Sequence, residues 1–313
     1  MTLPTTAESA SARAPAARRR RGFGERERFM LALILPAFVI LIVFQIVPIL
    51  IGANASFRRW SLFNPQKSFV GLENYARILG DPIFYSIVLP NTFLFMFASV
   101  TAGLLAGLGL ALLLNRRFHG ERIARTAVLL PLMVPPVVAA IMVTWMFNDQ
   151  FGVVNAALTA LGLEPVPWLI SRWTSLGIVI LTGVWLWTPW FTILILAALQ
   201  TLPPEPHEAA RIDGAGAWQL FRNITLPLLR PVLMVCITIR LIDAFRVFDI
   251  VWTITKGGPA RSTEVFSIYA YKQAFVYLNF DLGSAASLIG AGIIMVVGAV
   301  LYKVLGYAVE VSR

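Results

Sequence analysis

Four charged residues stand inside an apolar stretch that runs from 231 to 255: Arg240, Asp243, Arg246 and Asp249. They alternate in sign at intervals of three, so neighbours touch along a helix and can form a ladder of zero net charge. At about 100° per residue the ladder winds half-way round its helix and cannot all face one way. Guanidinium and carboxylate groups can bond the hydroxyls of a polyhydroxylated solute. Aromatic rings can cover its C–H faces, and Trp185, Trp187, Trp190 and Phe191 lie close together in another apolar stretch. These residues are candidates for a hydroxyl-binding or gate-forming face along a path across a membrane. A second reading fits equally: the ladder is a structural ion network, since charge at membrane depth faces protein or water. The tryptophans then serve as interfacial anchors or core.

The other informative stretch runs from Pro203 to Pro227: Pro203-Pro204-Glu205-Pro206-His207-Glu208-Ala209-Ala210-Arg211-Ile212-Asp213-Gly214-Ala215, continued as Gly216-Ala217-Trp218-Gln219-Leu220-Phe221-Arg222-Asn223-Ile224-Thr225-Leu226-Pro227. Prolines stop whatever helix precedes it. Glu208 falls early in a new helix, where negative charge suits the dipole, and Gly214 permits a turn. Trp218 and Phe221 share one face of a second short helix, while Pro227 and Pro231 stiffen the entry to the next apolar stretch. The segment therefore predicts a helix–turn–helix knob with apolar groups on its surface, made to cover its own membrane domain or to meet a second protein.

Bond-making chemistry finds little support. The two histidines, His119 and His207, lie in polar connections, and no His/Cys/Asp/Glu set has metal-ligand spacing. A nucleophile–base pair is missing from the apolar stretches. None of the four lysines completes a phosphate-cradling Gly-x-x-x-x-Gly-Lys-Ser/Thr. Nucleotide hydrolysis would have to come from another polypeptide. Cys236 is the one cysteine, so an intrachain disulfide is impossible.

Composition explains what must position these groups. Of 313 residues, 58% are apolar and only 13% charged, and the mean hydropathy is +0.75. Soluble domains reach about 45–50% apolar even with glycine counted. A water-solvated sphere could not hide such a surface, so lipid must solvate much of the chain. Stretches free of Asp, Glu, Lys and Arg run 29–57, 82–115, 126–148, 173–204 and 282–302. Each holds one span of roughly 20 residues. With the charged stretch they make six spans, expected at about 29–51, 86–115, 126–147, 173–200, 231–254 and 283–303. The uncharged run 150–163 is too short and reads as a surface helix.

Lys and Arg in the connections set orientation. Seven in the N-terminal tail, four after span two, three in the 205–230 loop and two at the C-terminus make sixteen on one side, against eight on the other. Both termini are therefore expected in the cytoplasm. The net charge of +10 is accounted for by topology and anionic headgroups, with no nucleic-acid partner. Residues 1–28 form a basic tail whose Ala, Arg, Ser and Pro content cannot bury a core, and it is expected to be disordered. The apolar stretch behind it is too long for a signal peptide and should remain as span one.

Close backbone approach must drive helix association in lipid. Gly103-x-x-x-Gly107 with Gly109 in span two, and Gly283, Ser287, Gly290 and Gly292 in span six, mark contact faces, within one bundle or toward a partner subunit. Pro131, Pro135 and Pro136 interrupt span three, as happens where protein or water satisfies the freed carbonyls.

The run Glu208-Ala209-Ala210-x-x-Asp213-Gly214-Ala215, followed by Phe221, Ile224-x-Leu226-Pro227 and a later proline, closely resembles the EAA loop of ATP-binding-cassette importer permeases. Further stretches resemble the carbohydrate branch that moves maltose, trehalose or glycerol phosphate: Phe69-Val70-Gly71-Leu72-Glu73-Asn74-Tyr75, Asn91-Thr92, Gly152-x-x-Asn155 with Leu161-Gly162, and Asp243-Ala244-Phe245-Arg246-Val247-Phe248-Asp249 with Gly257-Gly258-Pro259. The resemblance covers roughly 29–307. It implies an all-α, six-helix type I permease fold in the bacterial plasma membrane, and it adds Asn91 to the pathway candidates.

It also implies that the 208–227 loop, with Trp218 and Phe221, sits in a groove of a separate ATPase subunit. Closure of two such ATPases would tilt the spans and switch the cavity by alternating access. ATP and Mg would bind that partner and no cofactor this chain. The expected assembly adds a second permease, an extracytoplasmic solute-binding protein and a sugar. A non-sugar solute, an ion-coupled carrier without an ATPase, and a head-group transferase built on Asp213-Gly214 are the rivals. The last lacks the further aspartates that it would need.

Overall fold

The computed structural model describes residues 25–310, apart from Phe63 and Arg117. Most of the basic tail, residues 1–24, and the last three residues lie outside the described part. The chain divides into two units, one ending at Ile51 and the other beginning at Gly52.

The first unit is helical from Glu25 to Leu41, passes through a π-turn at Ile42–Ile46 and ends within a further α-helix, Val47–Ser56. Phe29, Met30 and the large apolar side chains from Leu33 to Ile51 are exposed on every side. A helix apolar all round has lipid as its natural solvent, and Ala32–Ser56 is long enough to cross a bilayer.

The second unit holds four more long apolar helices among the described residues: span two (Phe84–Leu114), span four (Arg172–Thr201), span five (Ala217–Phe245) and span six (Phe280–Leu301). Span three is a broken pair, Glu121–Met133 and Pro136–Met146, bent by 96°. Proline pushes the residue before it out of the α region. Val134 and Pro135 accordingly hold ψ of 122° and 139° between the halves. A short helix, Val153–Ala160, lies in the connection to span four. The helices are joined by a small antiparallel hairpin, β1 (Arg58–Ser61) with β2 (Asn64–Phe69), which the hydropathy pattern did not announce. Trp60 and Leu62 tie it to Asp281 and Leu278.

Spans two and four form the centre. They run parallel, since Arg172 Nη2 bonds Asn91 Oδ1 at 3.0 Å near their starts. A Cβ on Gly107 would lie 2.5 Å from Phe191 Cβ, and one on Gly103 3.3 Å from the Phe191 ring. Phe191 thus fills this seam rather than a solute path. Cβ atoms built on Gly283 and Gly290 would meet Ala274 and Phe266, whereas those on Gly109 and Gly292 would meet nothing. Both glycine faces are used inside the bundle.

Span five departs from the expected 231–254. It starts at Ala217, inside the polar loop, and ends at Phe245. Its last turn tightens, with Arg246 N–H bonding Asp243 O and Val247 N–H bonding Ala244 O. The Ser267 hydroxyl takes the Val247 carbonyl, and a separate helix starts at Asp249.

Candidate functional site

The 205–227 segment folds as two helices locked by local bonds. Helix Glu205–Ile212 carries Glu205 and Glu208 in its first turn and Arg211 in its last, each suited to the dipole. It ends on a left-handed Gly214, φ +83°. Ala215 N–H reaches Ala210 O at 2.9 Å and Gly214 N–H reaches Arg211 O at 3.1 Å. This paired closure satisfies the last carbonyls and favours glycine at the turn. Gly216 N–H then bonds Gln219 Oε1 at 2.8 Å, closing the start of the next helix.

That next helix begins at Ala217, passes a π-turn at Phe221–Thr225 and continues through Leu226 and Pro227 as span five. His207 Nε2 lies 3.0 Å from Thr225 Oγ1 and joins the two helices across the turn. The histidine is thus a satisfied structural residue. Ile212 is 87% and Trp218 67% exposed, and the Trp218 and Phe221 rings pair with centroids 5.6 Å apart. Glu208, Ala209 and Asp213 are exposed, while Ala210, Ala215, Ile224, Leu226 and Pro227 are half-buried. A groove beside the turn is lined by Ala210, Asp213, Gly214, Ala215, Gln219, Asn223 and Ile224.

About 33 Å along the same helix, at 1.5 Å per residue, stand the charges. Arg240 is 4% exposed. Its Nη1 donates to Asp243 and its Cζ lies 4.0 Å from the Trp187 ring centroid. Arg246 Nη2 is 3.9 Å from Asp243 Oδ1. The ladder stops there, because the helix does: Asp249 opens the next helix and makes no ion pair among the described residues. It nevertheless lines a hollow of about 130 Å³ with Trp187, Arg240, Asp243, Arg246, Phe95, Pro136 and Phe248. An adjoining hollow of about 400 Å³ is lined by Trp187, Trp190, Ile239, Arg240, Ile242, Asp243 and Arg246. The second has the size of a small-ligand cavity. The four charges and Trp187 are therefore brought together, and Trp190 joins them.

Trp185 and Asn91 are not among these lining residues. Trp185 is exposed on another face of span four. Asn91 is fully buried, with Nδ2 donating to Ser262 O at 2.8 Å and Glu264 O at 3.2 Å and Oδ1 accepting from Arg172. It fastens the segment after Gly257-Gly258-Pro259 to spans two and four.

That segment holds a buried charge that the sequence did not single out. Glu264 is 0% exposed, accepts two bonds from Arg261 at 2.9 Å and accepts one from Lys272 at 3.0 Å. The bonds to Glu264 raise the Arg261 pKa. Burial, and then the bond to Asp81, raise that of the Tyr269 phenol, which donates to Asp81 Oδ2 at 2.9 Å. Only the Gly-Gly-Pro run hinted at structure here. Among the described residues no group of three His, Cys, Asp or Glu side chains could hold a metal.

Several apolar spans around a charged hollow, with a rigid polar knob built into one of them, define a membrane transport subunit rather than an enzyme. Residues 100–311 match the model of the binding-protein-dependent transport system inner membrane component. The chain belongs to that family. It is 40% identical to the trehalose/maltose transport system permease protein of Thermococcus litoralis, over 82% of this chain and 86% of the relative. It is 35% identical to the sulfoquinovosyl glycerol transport system permease protein of Agrobacterium fabrum, over 89% and 91%. It is 33% identical to the trehalose transport system permease protein of Mycobacterium tuberculosis, over 97% of both. Among solved structures it is similar to a chain of the bacterial alginate ABC transporter in complex with its alginate pentasaccharide-bound periplasmic protein. There the TM-score is 0.77 at 26% identity, covering 92% of this chain and 95% of that one.

Proposed function

We propose that this chain forms half of the pathway of an ATP-driven sugar importer and works by alternating access. A second permease supplies the other half, two ATPase subunits bind ATP and Mg, and an extracytoplasmic solute-binding protein delivers the sugar. The chain itself holds no cofactor. It lies in a bacterial plasma membrane with both termini in the cytoplasm, as its Lys and Arg distribution favours.

One observation carries this reading: the exposed knob and the charged hollow share a single unbroken helix, Ala217–Phe245. A force on Trp218 reaches Arg240 and Asp243 without crossing a loop. The grip on the ATPase is assigned to Glu208, Ala209, Asp213, Ile212 and Trp218, which stand exposed. Gly214, Ala215, Phe221, Ile224, Leu226 and Pro227 shape the knob. Trp187, Arg240, Asp243, Arg246 and Asp249 are placed on the sugar path.

The sugar-permease relatives support the substrate class. The test is uptake of labelled disaccharides by vesicles holding the full importer, together with cross-linking from Ala209→Cys. Uptake that needs ATP and a cross-link to the ATPase are expected. Uptake by this chain alone, or a cross-link only within it, would overturn the reading.

A further inference from the structure

Helix Glu121–Leu129 lies at the end of the bundle that carries the knob. Spans two and four run parallel, so Leu114 and Thr201 finish at the same end, and Arg125 Nη2 donates to the Leu114 carbonyl at 3.3 Å. The chain then turns by 96° before it continues as Pro136–Met146, which packs on span four and on helix Asp249–Thr255. The first half of span three therefore runs across its second half.

Its surface is divided. Arg125 is paired with Glu121 at 2.5 Å on one side. On another, Ile123, Ala127 and Leu130 succeed one another at intervals of four and three and are all exposed, Ile123 at 76%. Exposed Leu113 at the end of span two and Met133 after Leu130 extend the apolar surface toward the spans. Arg116 and Arg122 are exposed and make no ion pair among the described residues. An apolar stripe beside unpaired guanidinium groups suits the boundary between acyl chains and anionic headgroups. Continuity with the lipid-solvated flanks of the spans favours lipid over a protein as the occupant.

We infer that helix Glu121–Leu129 lies in the membrane surface, seating Ile123, Ala127 and Leu130 among acyl chains and binding anionic lipid phosphates through Arg116 and Arg122. This goes beyond the transport reading, which stands whether or not the helix binds lipid.

Two measurements test it on the full chain, assembled with its partner subunits in nanodiscs. A nitroxide is placed at Ile123→Cys; the native Cys236 is buried and stays in place. Collisions with oxygen should exceed those with a water-soluble nickel chelate. A nickel-dominated signal, or shielding from both by protein, overturns the proposal. The second measurement leaves the apolar stripe intact, so it stands even if the cysteine variant fails to assemble. Spin-labelled phosphatidylglycerol should associate with the complex in preference to phosphatidylcholine. Arg116→Gln and Arg122→Gln should each lower that preference roughly fivefold, from about 1 kcal/mol per basic residue. An unchanged preference in the double variant overturns the headgroup assignment.

Discussion

The guanidinium of Arg240 lies 4.0 Å above the ring of Trp187, joining span five to span four at the charged hollow. Asp243 accepts a hydrogen bond from the same guanidinium. A charge this deep is costly unless partnered, and here a carboxylate and an aromatic face share the task.

Trp187→Leu should therefore cost more than lost ring area. A desolvated cation–π contact contributes about 2 kcal/mol, so Arg240 would be loosened and sugar uptake reduced. Trp185→Leu, on an exposed face outside both hollows, should leave uptake near the parent value. Transport assays on both variants at matched membrane levels check the contrast.

Asp243→Asn leaves the buried Arg240 with a neutral and weaker partner, and because Asp243 is itself half-exposed the cost stays below the about 3–5 kcal/mol of a fully buried pair. Reduced uptake with normal assembly is the expected result. If only the amount of assembled complex falls, Arg240 and Asp243 are a structural tie.

Gly214 sits at φ +83° with open space where a Cβ would go. Gly214→Val should cost about 1–2 kcal/mol from backbone conformation alone and misplace Ile212 against Trp218. In the full importer, ATP hydrolysis should persist while uptake falls. Equal uptake would show that the turn's geometry does not matter to coupling.

Gly107→Leu should prevent the seam from closing, because its first side-chain atom already collides with Phe191. Gly109→Leu, two residues on, meets open space and should be tolerated. Comparing the yield of folded, detergent-stable protein separates the two.

Glu264→Gln would leave Arg261 and Lys272 facing a neutral amide in a buried place. A loss of about 3 kcal/mol is expected, read as a lower unfolding temperature of the purified chain.

The span windows were legible because hydrocarbon thickness leaves so direct an imprint on the distribution of charge. The knob was legible because turns impose glycine at fixed places: Gly214 announces its own left-handed backbone. What stayed hidden depended on contacts between distant residues. Nothing near Phe245 tells where span five stops, since a hydroxyl from Ser267 contributes to that end. The burial of Glu264 is likewise decided by Arg261, Lys272 and the packing around them. Asn91 carried a resemblance but not its role, because a polar residue in a span can line a path or clasp a loop, and only its partners distinguish the two.

The glycine-and-phenylalanine seam between spans two and four has a mechanical corollary. Ridges that interlock so closely cannot glide past one another, so the two helices must travel as a single strut when the gate changes side. Flexing then falls to the places where regular hydrogen bonding is already interrupted, Val134–Pro135 in span three and Arg246–Phe248 beyond span five. A transporter assembled this way resembles linked rigid bars, with its joints fixed in the covalent chain long before any solute arrives.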